Sequence, residues 1–208
     1  SGDMPTQVFF GHLGSVYRPE AGRALLVGLG SGITLGSLAL HDIESIDAVE
    51  ISPSVVEAAK LFKDYNHNVL ENPRVKMHAE DARSFVALSE EKYDMVNSIP
   101  TNPWMAGVCQ LFTREFFQDC RARLTDGGIM GQGVQRYCLS EHDFRMVMKT
   151  FSEIFDHVHV WASSVRDDFA LVGSVKPLSP EYENIERLFA NPETAADLER
   201  VELRTPAQ

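Results

Sequence analysis

The sequence predicts an α/β fold, a stack of β-α-β units whose parallel sheet is covered by helices on both faces. Two observations carry this. Short apolar runs alternate along the chain with stretches of helical period, as strands buried on both faces and their crossover helices require. The first apolar run also leads straight into Gly28-Leu29-Gly30-Ser31-Gly32 and then a helical stretch, the strand-to-helix turn of such units.

Taken in order, the segment before Ala21 reads as irregular. Strands are expected at 24–28, 45–50, 74–78, 93–97, 127–132, 157–162 and 169–174, and helices at 33–41, 53–65, 82–88, 113–124 and 140–154. Ser52-Pro53 reads as a capping hydroxyl before Pro at the first helical position, and Ser179-Pro180 repeats the device for a C-terminal helix. Ser140 to Asp143 has capping-box spacing, and Gly127-Gly128 reads as a helix stop before a strand. After Ser174 the composition turns polar, with Pro177, Pro180 and several Glu and Asn. Residues 1–175 are therefore read as the main domain and 176–208 as a C-terminal helical appendage, a tail that packs loosely or serves a partner.

The chain has 208 residues, enough for one domain with a substantial core, and its apolar fraction of 44% with 12 Phe argues against disorder. Lys and Arg total 19 against 30 Asp and Glu, a formal charge of −11. Such a chain repels phosphate backbones and anionic lipid heads, so no nucleic acid partner and no membrane contact are expected, and a cationic ligand is favoured. Cys109, Cys120 and Cys138 have no framework spacing and read as small buried hydrophobes in a reducing compartment. No apolar run approaches a membrane span, and Ser1-Gly2-Asp3 does not begin a secretory signal. A cytoplasmic location is expected. The absence of a starting Met fits the soluble part of a longer protein.

The glycine loop reads G-x-G-x-G, with Ile33 where a dinucleotide fingerprint needs its third glycine. By itself such a loop is equally a tight turn. Glu50, 22 residues past Gly28, ends the second strand, where a carboxylate can accept both ribose hydroxyls. Asp81 follows the third strand, where it can take an adenine amino hydrogen bond or simply cap a helix. Loop and acids fall at successive strand ends and line one crevice. The missing glycine and the acidic chain favour a sulfonium-bearing nucleoside over a dinucleotide.

With these residues on the page, the chain resembles the spermidine/spermine synthases, most closely the bacterial spermidine-synthase-like branch. The likeness rests on Gly28 to Gly32, Val49-Glu50-Ile51, Asn72-Pro73-Arg74-Val75, Glu80-Asp81-Ala82-Arg83 and Asn102-Pro103-Trp104-Met105-Ala106-Gly107 through Leu111-Phe112, and covers about residues 2–174. It implies a Rossmann-like, seven-stranded sheet of the S-adenosylmethionine-dependent methyltransferase type, flanked by helices. The implied reaction moves an aminopropyl group from decarboxylated S-adenosylmethionine to a polyamine amine, without a metal. Carried over, Glu50 beside Ile51 would hold the ribose, Asp81 with Ala82 the adenine, and Gly28, Gly30, Ser31 and Gly32 the methionine-derived part. Ser98 closes the nucleoside set. Gln7, Asn102, Trp104 and Gln132 would face the polyamine-like substrate, and pairing as a homodimer is implied as well.

Departures from the family pattern bear on the chemistry. Ser31 stands where the loop would carry the Asp that holds the aminopropyl nitrogen, Ile99 where the catalytic Asp would stand, Asn102 at a second Asp, and Thr6 at a Tyr. The family's N-terminal hairpin domain is absent. Ile99 can neither attract a cation nor take a proton, and Ser31 would accept the α-carboxylate of intact S-adenosylmethionine that an Asp would repel. Three readings follow: an aminopropyltransferase-like enzyme with altered chemistry, a methyltransferase using intact S-adenosylmethionine, or a non-catalytic nucleoside-binding module.

Other residues invite weaker assignments. Asp94 reads as a structural cap or ion pair, and His157 with His159 lacks a third metal ligand. Trp104 and Met105 could form a lid or a plug over the crevice. Tyr137, Asp167 and Asp168 could contact a cationic acceptor, while Phe112, Phe116 and Phe117 read as core.

Overall fold

All seven expected strands form, in one sheet: β1 (Arg23–Val27), β2 (Ser45–Val49), β3 (Val75–His78), β4 (Tyr93–Ser98), β5 (Leu124–Gln135), β6 (His157–Ala162) and β7 (Asp168–Ser174). The computed structural model describes residues 3–101, 105, 107–137, 139–162 and 168–207. Strand order is β3-β2-β1-β4-β5-β7-β6. Neighbours from β3 to β5 run parallel, whereas β7 is antiparallel to both β5 and β6. The central strands are buried on both faces, which is why their sequence is apolar at consecutive positions. The helices are α1 (Met4–Tyr17), α2 (Ile33–Leu38), α3 (Pro53–Ala59), α4 (Ala82–Leu88), α5 (Arg114–Ala122), α6 (Glu141–Ser152), α7 (Tyr182–Ala190) and α8 (Pro192–Glu199). One face of the sheet packs on α1, α2, α7 and α8, the other on α4, α5 and α6. Phe112, Phe116 and Phe117 are core, as expected.

Several local readings are corrected. Strand β5 begins at Leu124, so Gly127-Gly128 lies inside it rather than between helix and strand. The pairing with β4 jumps there from Tyr93↔Leu124 to Met95↔Ile129. Gly127 has φ +82°, and a Cβ at Gly128 would come within 2.9 Å of the Tyr93 carbonyl oxygen, so the kink needs both glycines. Ser52 precedes α3, but its side chain makes no cap hydrogen bond, and α7 starts after Glu181 rather than at Pro180. Ser140 does cap α6, its Oγ accepting from the Asp143 amide, but the Asp143 carboxylate accepts from the Ser140 hydroxyl rather than from its amide. Cys120 is fully buried, whereas Cys109 is exposed.

The largest departure is α1, in a segment whose Gly11, Gly14 and β-branched residues disfavour a helix, although Pro5 is well placed in its first turn. Packing overrides propensity here, and the two glycines permit it. A Cβ at Gly11 would lie 2.3 Å from Ser37 Cβ and 2.9 Å from the Thr34 carbonyl oxygen, and one at Gly14 2.6 Å from Met95 Sδ. In an open helix Gly→Ala gains up to about 1 kcal/mol, while overpacking costs typically about 1–3 kcal/mol. Gly11→Ala should therefore lower stability by at least about 1 kcal/mol, read as a reduced melting temperature. An unchanged or raised melting temperature would mean that the α1–α2 crossing is looser than described.

The C-terminal stretch is helical, as read, but does not pack loosely. Leu188 and Leu198 enter the core, and Asn184 Nδ2 donates to the Val16 carbonyl at 3.0 Å. Asp197 is 1% exposed and accepts from Ser37 Oγ (2.6 Å), His12 Nε2 (3.0 Å), His67 Nε2 (2.7 Å) and Arg200 Nη1. His12 Nδ1 lies 3.0 Å from His41 Nε2. Burial resists charging of Asp197, but the hydrogen bonds from His12, His67 and Ser37 outweigh it and hold the carboxyl far below its usual range. Burial, with help from neighbouring His12, lowers His41 to about 3.

Both shifts have the same sign for stability. Between the ordinary imidazole value near 6.5 and about 3, the unfolded chain binds a proton at position 41 that the folded chain refuses, so stability falls as pH falls. Below the usual carboxylate value, Asp197 adds to the loss. Thermal melts should shift downward steadily below about pH 6.5, and His41→Gln should flatten the slope above about pH 4. A wild-type curve with no slope in that window would contradict this assignment.

Candidate functional site

At the C-terminal edge of β1, β2 and β4 lies a cavity of about 470 Å³. It brings together Gly28, Gly30, Glu50, Ile51, Asp81, Ala82 and Ile99, residues placed at successive strand ends by the crossover topology. Each is held for a local reason. Gly28 has φ +89°, and a Cβ there would stand 3.1 Å from the Ile99 carbonyl oxygen, so only glycine lets the loop leave β1 this close to the end of β4. Gly32 has φ +79° and presses against Asn66, which leaves no room for a side chain.

Glu50 follows β2 and folds back over the loop. Its Oε2 accepts from the Leu29 amide at 3.1 Å and its Oε1 from the Ser52 amide at 3.0 Å. Each oxygen keeps a lone pair, so the carboxylate is fixed in place and can still accept from a ligand in the cavity. Asp81 caps α4, Oδ2 accepting from the Ser84 amide (2.9 Å) and from Ser84 Oγ (2.8 Å). The cap and the cavity position thus coexist in one residue. Ile51 is 68% exposed and forms an apolar rim suited to an aromatic base.

The remaining expected residues lie beside this cavity. Ser31 Oγ donates to Gln7 Oε1 at 2.9 Å, joining the glycine loop to α1, and the Ser31 carbonyl accepts from Asn66 Nδ2 at 2.9 Å. Ser98 and Gln132 are register partners on β4 and β5 and are fully buried. Gln132 Nε2 donates to the Gly133 carbonyl, while its Oε1 and Ser98 Oγ have no hydrogen-bond partner. Neither lines the cavity. Ile99 does: its amide donates to the Val27 carbonyl at 3.1 Å, and its side chain lies where a Cβ on Gly133 would touch it, with Phe10 adjacent. Asn102, Trp104, Asp167 and Cys138 lie outside the described residues.

Residues to which the sequence reading gave no site role complete the site. Val108, Gln110 and Leu111 line the cavity from the segment after Gly107, and Arg83 Nη1 donates to Gln110 Oε1 at 3.1 Å across it. Asn66 is 1% exposed, its Nδ2 donating to both Ser31 and Ala59 carbonyls, and it braces the glycine loop from behind. The only signal for it was the Asn66-His67-Asn68 run, since Asn favours the left-handed backbone that His67 and Asn68 adopt.

Other expectations are sorted by contacts. Asp94 is structural: burial pushes its pKa up, but donation from Thr125 Oγ1 and the Arg23 and Gly22 amides outweighs this and holds it low. His159 Nδ1 faces the Tyr17 hydroxyl at 3.1 Å, and among the described residues no three potential ligands gather around a metal position. Asp168 is buried and accepts from Thr6 Oγ1 at 2.8 Å, whereas Tyr137 is half-exposed. Among the described residues no helix is long and apolar enough to cross a membrane. A second cavity of about 320 Å³ is walled by Phe9, Leu13, Val16, Trp161 and Phe189, and among the described residues no carboxylate lines it.

Comparison with known proteins agrees with this fold. A family model described as the spermine/spermidine synthase domain matches residues 5–170. A polyamine aminopropyltransferase of Clostridium perfringens is 36% identical over 120 residues, 57% of this chain and 42% of the relative, so the match spans less than half of that protein. A spermidine synthase structure in complex with the transition-state analogue AdoDATO superposes with a TM-score of 0.79 at 20% identity, covering 89% of this chain and 66% of the other. A human methyltransferase-like protein 13 in complex with SAH gives a TM-score of 0.68 at 22% identity, covering 95% and 90% of the two chains. These two likenesses speak for a methyltransferase-type fold.

Proposed function

Because the chain belongs to the spermine/spermidine synthase family, we propose that it is a transferase whose 470 Å³ cavity binds decarboxylated S-adenosylmethionine and directs its aminopropyl group to a polyamine amine. The observation that carries this reading is the convergence of the glycine loop, Glu50, Asp81 and Ile99 on one cavity. The residues suit the nucleoside. Glu50 is a preset acceptor for two ribose hydroxyls, Asp81 lies where an adenine amino group can donate, and Gly30, with nothing within 4 Å of a Cβ position, leaves the loop backbone open to the sulfonium side.

In such a transfer a C–N bond forms while the C–S bond breaks and its electron pair returns to sulfur. The attacking amine, with a pKa near 10, must shed a proton. Ile99 offers no acceptor, so that proton passes to solvent and the protein's contribution is positioning. A general base typically contributes about 10²–10⁴-fold, so turnover is expected to be slow rather than absent.

One observation favours a second reading, transfer of a methyl group from intact S-adenosylmethionine. Ser31 and Gln7 present a neutral hydroxyl–amide pair at the loop, so position 31 itself supplies no carboxylate to repel the α-carboxylate of the intact donor. Calorimetry with both donors separates the two: tighter binding of the decarboxylated form supports aminopropyl transfer, tighter binding of the intact form supports methyl transfer. Binding without turnover in a polyamine screen would leave a nucleoside-binding module, and binding of neither below millimolar concentration would overturn the nucleoside reading itself.

A further inference from the structure

We propose that Asp197, on the C-terminal helix α8, is a positioning residue for the donor loop, acting through Ser37 on one side and the Tyr65-Asn66-His67 turn on the other. The inference rests on the nucleoside reading of the cavity. Asp197 does not line that cavity, yet its carboxylate ties both supports of the glycine loop together. The first support is α2, which continues directly from Gly32: Ser37 Oγ donates to Asp197 Oδ2 at 2.6 Å, and His12 of α1 donates to the same oxygen. The second is the turn that carries Asn66. His67 Nε2 meets Asp197 Oδ1 at 2.7 Å, and Arg200, itself bonded to that oxygen, donates from Nη2 to the Tyr65 carbonyl at 2.7 Å.

Asn66 is held between these two anchors, one residue from each. It passes the constraint to the loop, its Nδ2 donating to the Ser31 carbonyl at 2.9 Å. The packing is tight enough to transmit displacement: a Cβ on Gly32 would lie 2.9 Å from Asn66 Nδ2, and one on Gly36 2.4 Å from the Asn66 carbonyl oxygen. Four donors on one buried carboxylate make charge-assisted hydrogen bonds whose geometry is set by a single rigid group. Removing the charge leaves the donors of both supports, Ser37 and His12 buried and His67 and Arg200 partly so, competing for what remains, and the loop between them loses its fixed separation.

The test combines Asp197→Asn with Asn66→Ala, each assayed by calorimetry with 5′-methylthioadenosine at a temperature well below its own melting point. Asp197→Asn is expected to weaken that binding about tenfold, equivalent to about 1.4 kcal/mol. Amide exchange at residues 30–32 should quicken without any ligand. The double variant should lose little more affinity than either single one, because both act along one connection. If Asp197→Asn does not fold, Ser37→Ala removes one of the four donors and should show the same effects in weaker form. A melting temperature that falls while nucleoside affinity and loop exchange stay unchanged would overturn the inference and leave Asp197 a purely structural group. Fully additive losses would overturn it too. A wild-type protein that binds no nucleoside would overturn the underlying cavity reading, and the inference with it.

Discussion

Ile99→Asp should raise the rate of aminopropyl transfer to a polyamine amine by about 10²–10⁴-fold, the contribution of a well-placed general base. Position 99 is the first residue past β4, its amide pinned to the Val27 carbonyl, so the backbone there is fixed by the sheet and a new carboxylate starts from a known place on the cavity wall. A carboxylate at that point would attract the protonated amine and then accept its proton, two functions that a branched hydrocarbon lacks. The substitution gives up the apolar packing of Ile99 against the core, at a cost of about 1–3 kcal/mol, which the rest of the core can absorb. Steady-state turnover with saturating donor reads the effect. A variant that binds the donor as the wild type does and turns over no faster would mean that proton removal does not limit the reaction.

Glu50→Ala should weaken nucleoside binding by about 2–4 kcal/mol, roughly 30- to 1000-fold, because charge-assisted hydrogen bonds contribute about 1.5–3 kcal/mol each. Two losses combine. The ribose hydroxyls lose their acceptor, and the Leu29 and Ser52 amides lose theirs, which frees the loop that frames the cavity. Glu50→Gln keeps an acceptor oxygen and should fall between the two. Calorimetry with 5′-methylthioadenosine, which lacks the transferred group, isolates this half of the site, and an unchanged affinity in the Ala variant would remove Glu50 from it.

What could be read from sequence divides by physical cause. The strands were legible because burial on both faces leaves a continuous apolar run, and the shared cavity position of Glu50 and Asp81 because both sit where a crossover sheet ends its strands. Helix α1 was not, because Gly11 and Gly14 lower local propensity in order to allow a close crossing that no local pattern encodes. The C-terminal helices were misjudged in packing for a related reason. Their polar composition includes Asp197, whose partners His12, Ser37 and His67 lie 130 or more positions away along the chain. Gln7 was legible only through the family resemblance, since its segment reads as irregular, and its partner Ser31 became apparent only with α1 in place. The brace at Asn66 left almost no trace in sequence, as one amide among polar neighbours has no periodicity to betray it.

The most direct test of the central claim is a crystal structure of the protein soaked with 5′-methylthioadenosine. The account predicts the adenosine in the cavity between the glycine loop and Ile99, both ribose hydroxyls on Glu50 and the adenine amino group at Asp81, with Ile99 facing the sulfur end. A ligand seated instead in the apolar cavity between α1 and α7, or a glycine-loop cavity that stays empty at millimolar soak, would contradict it.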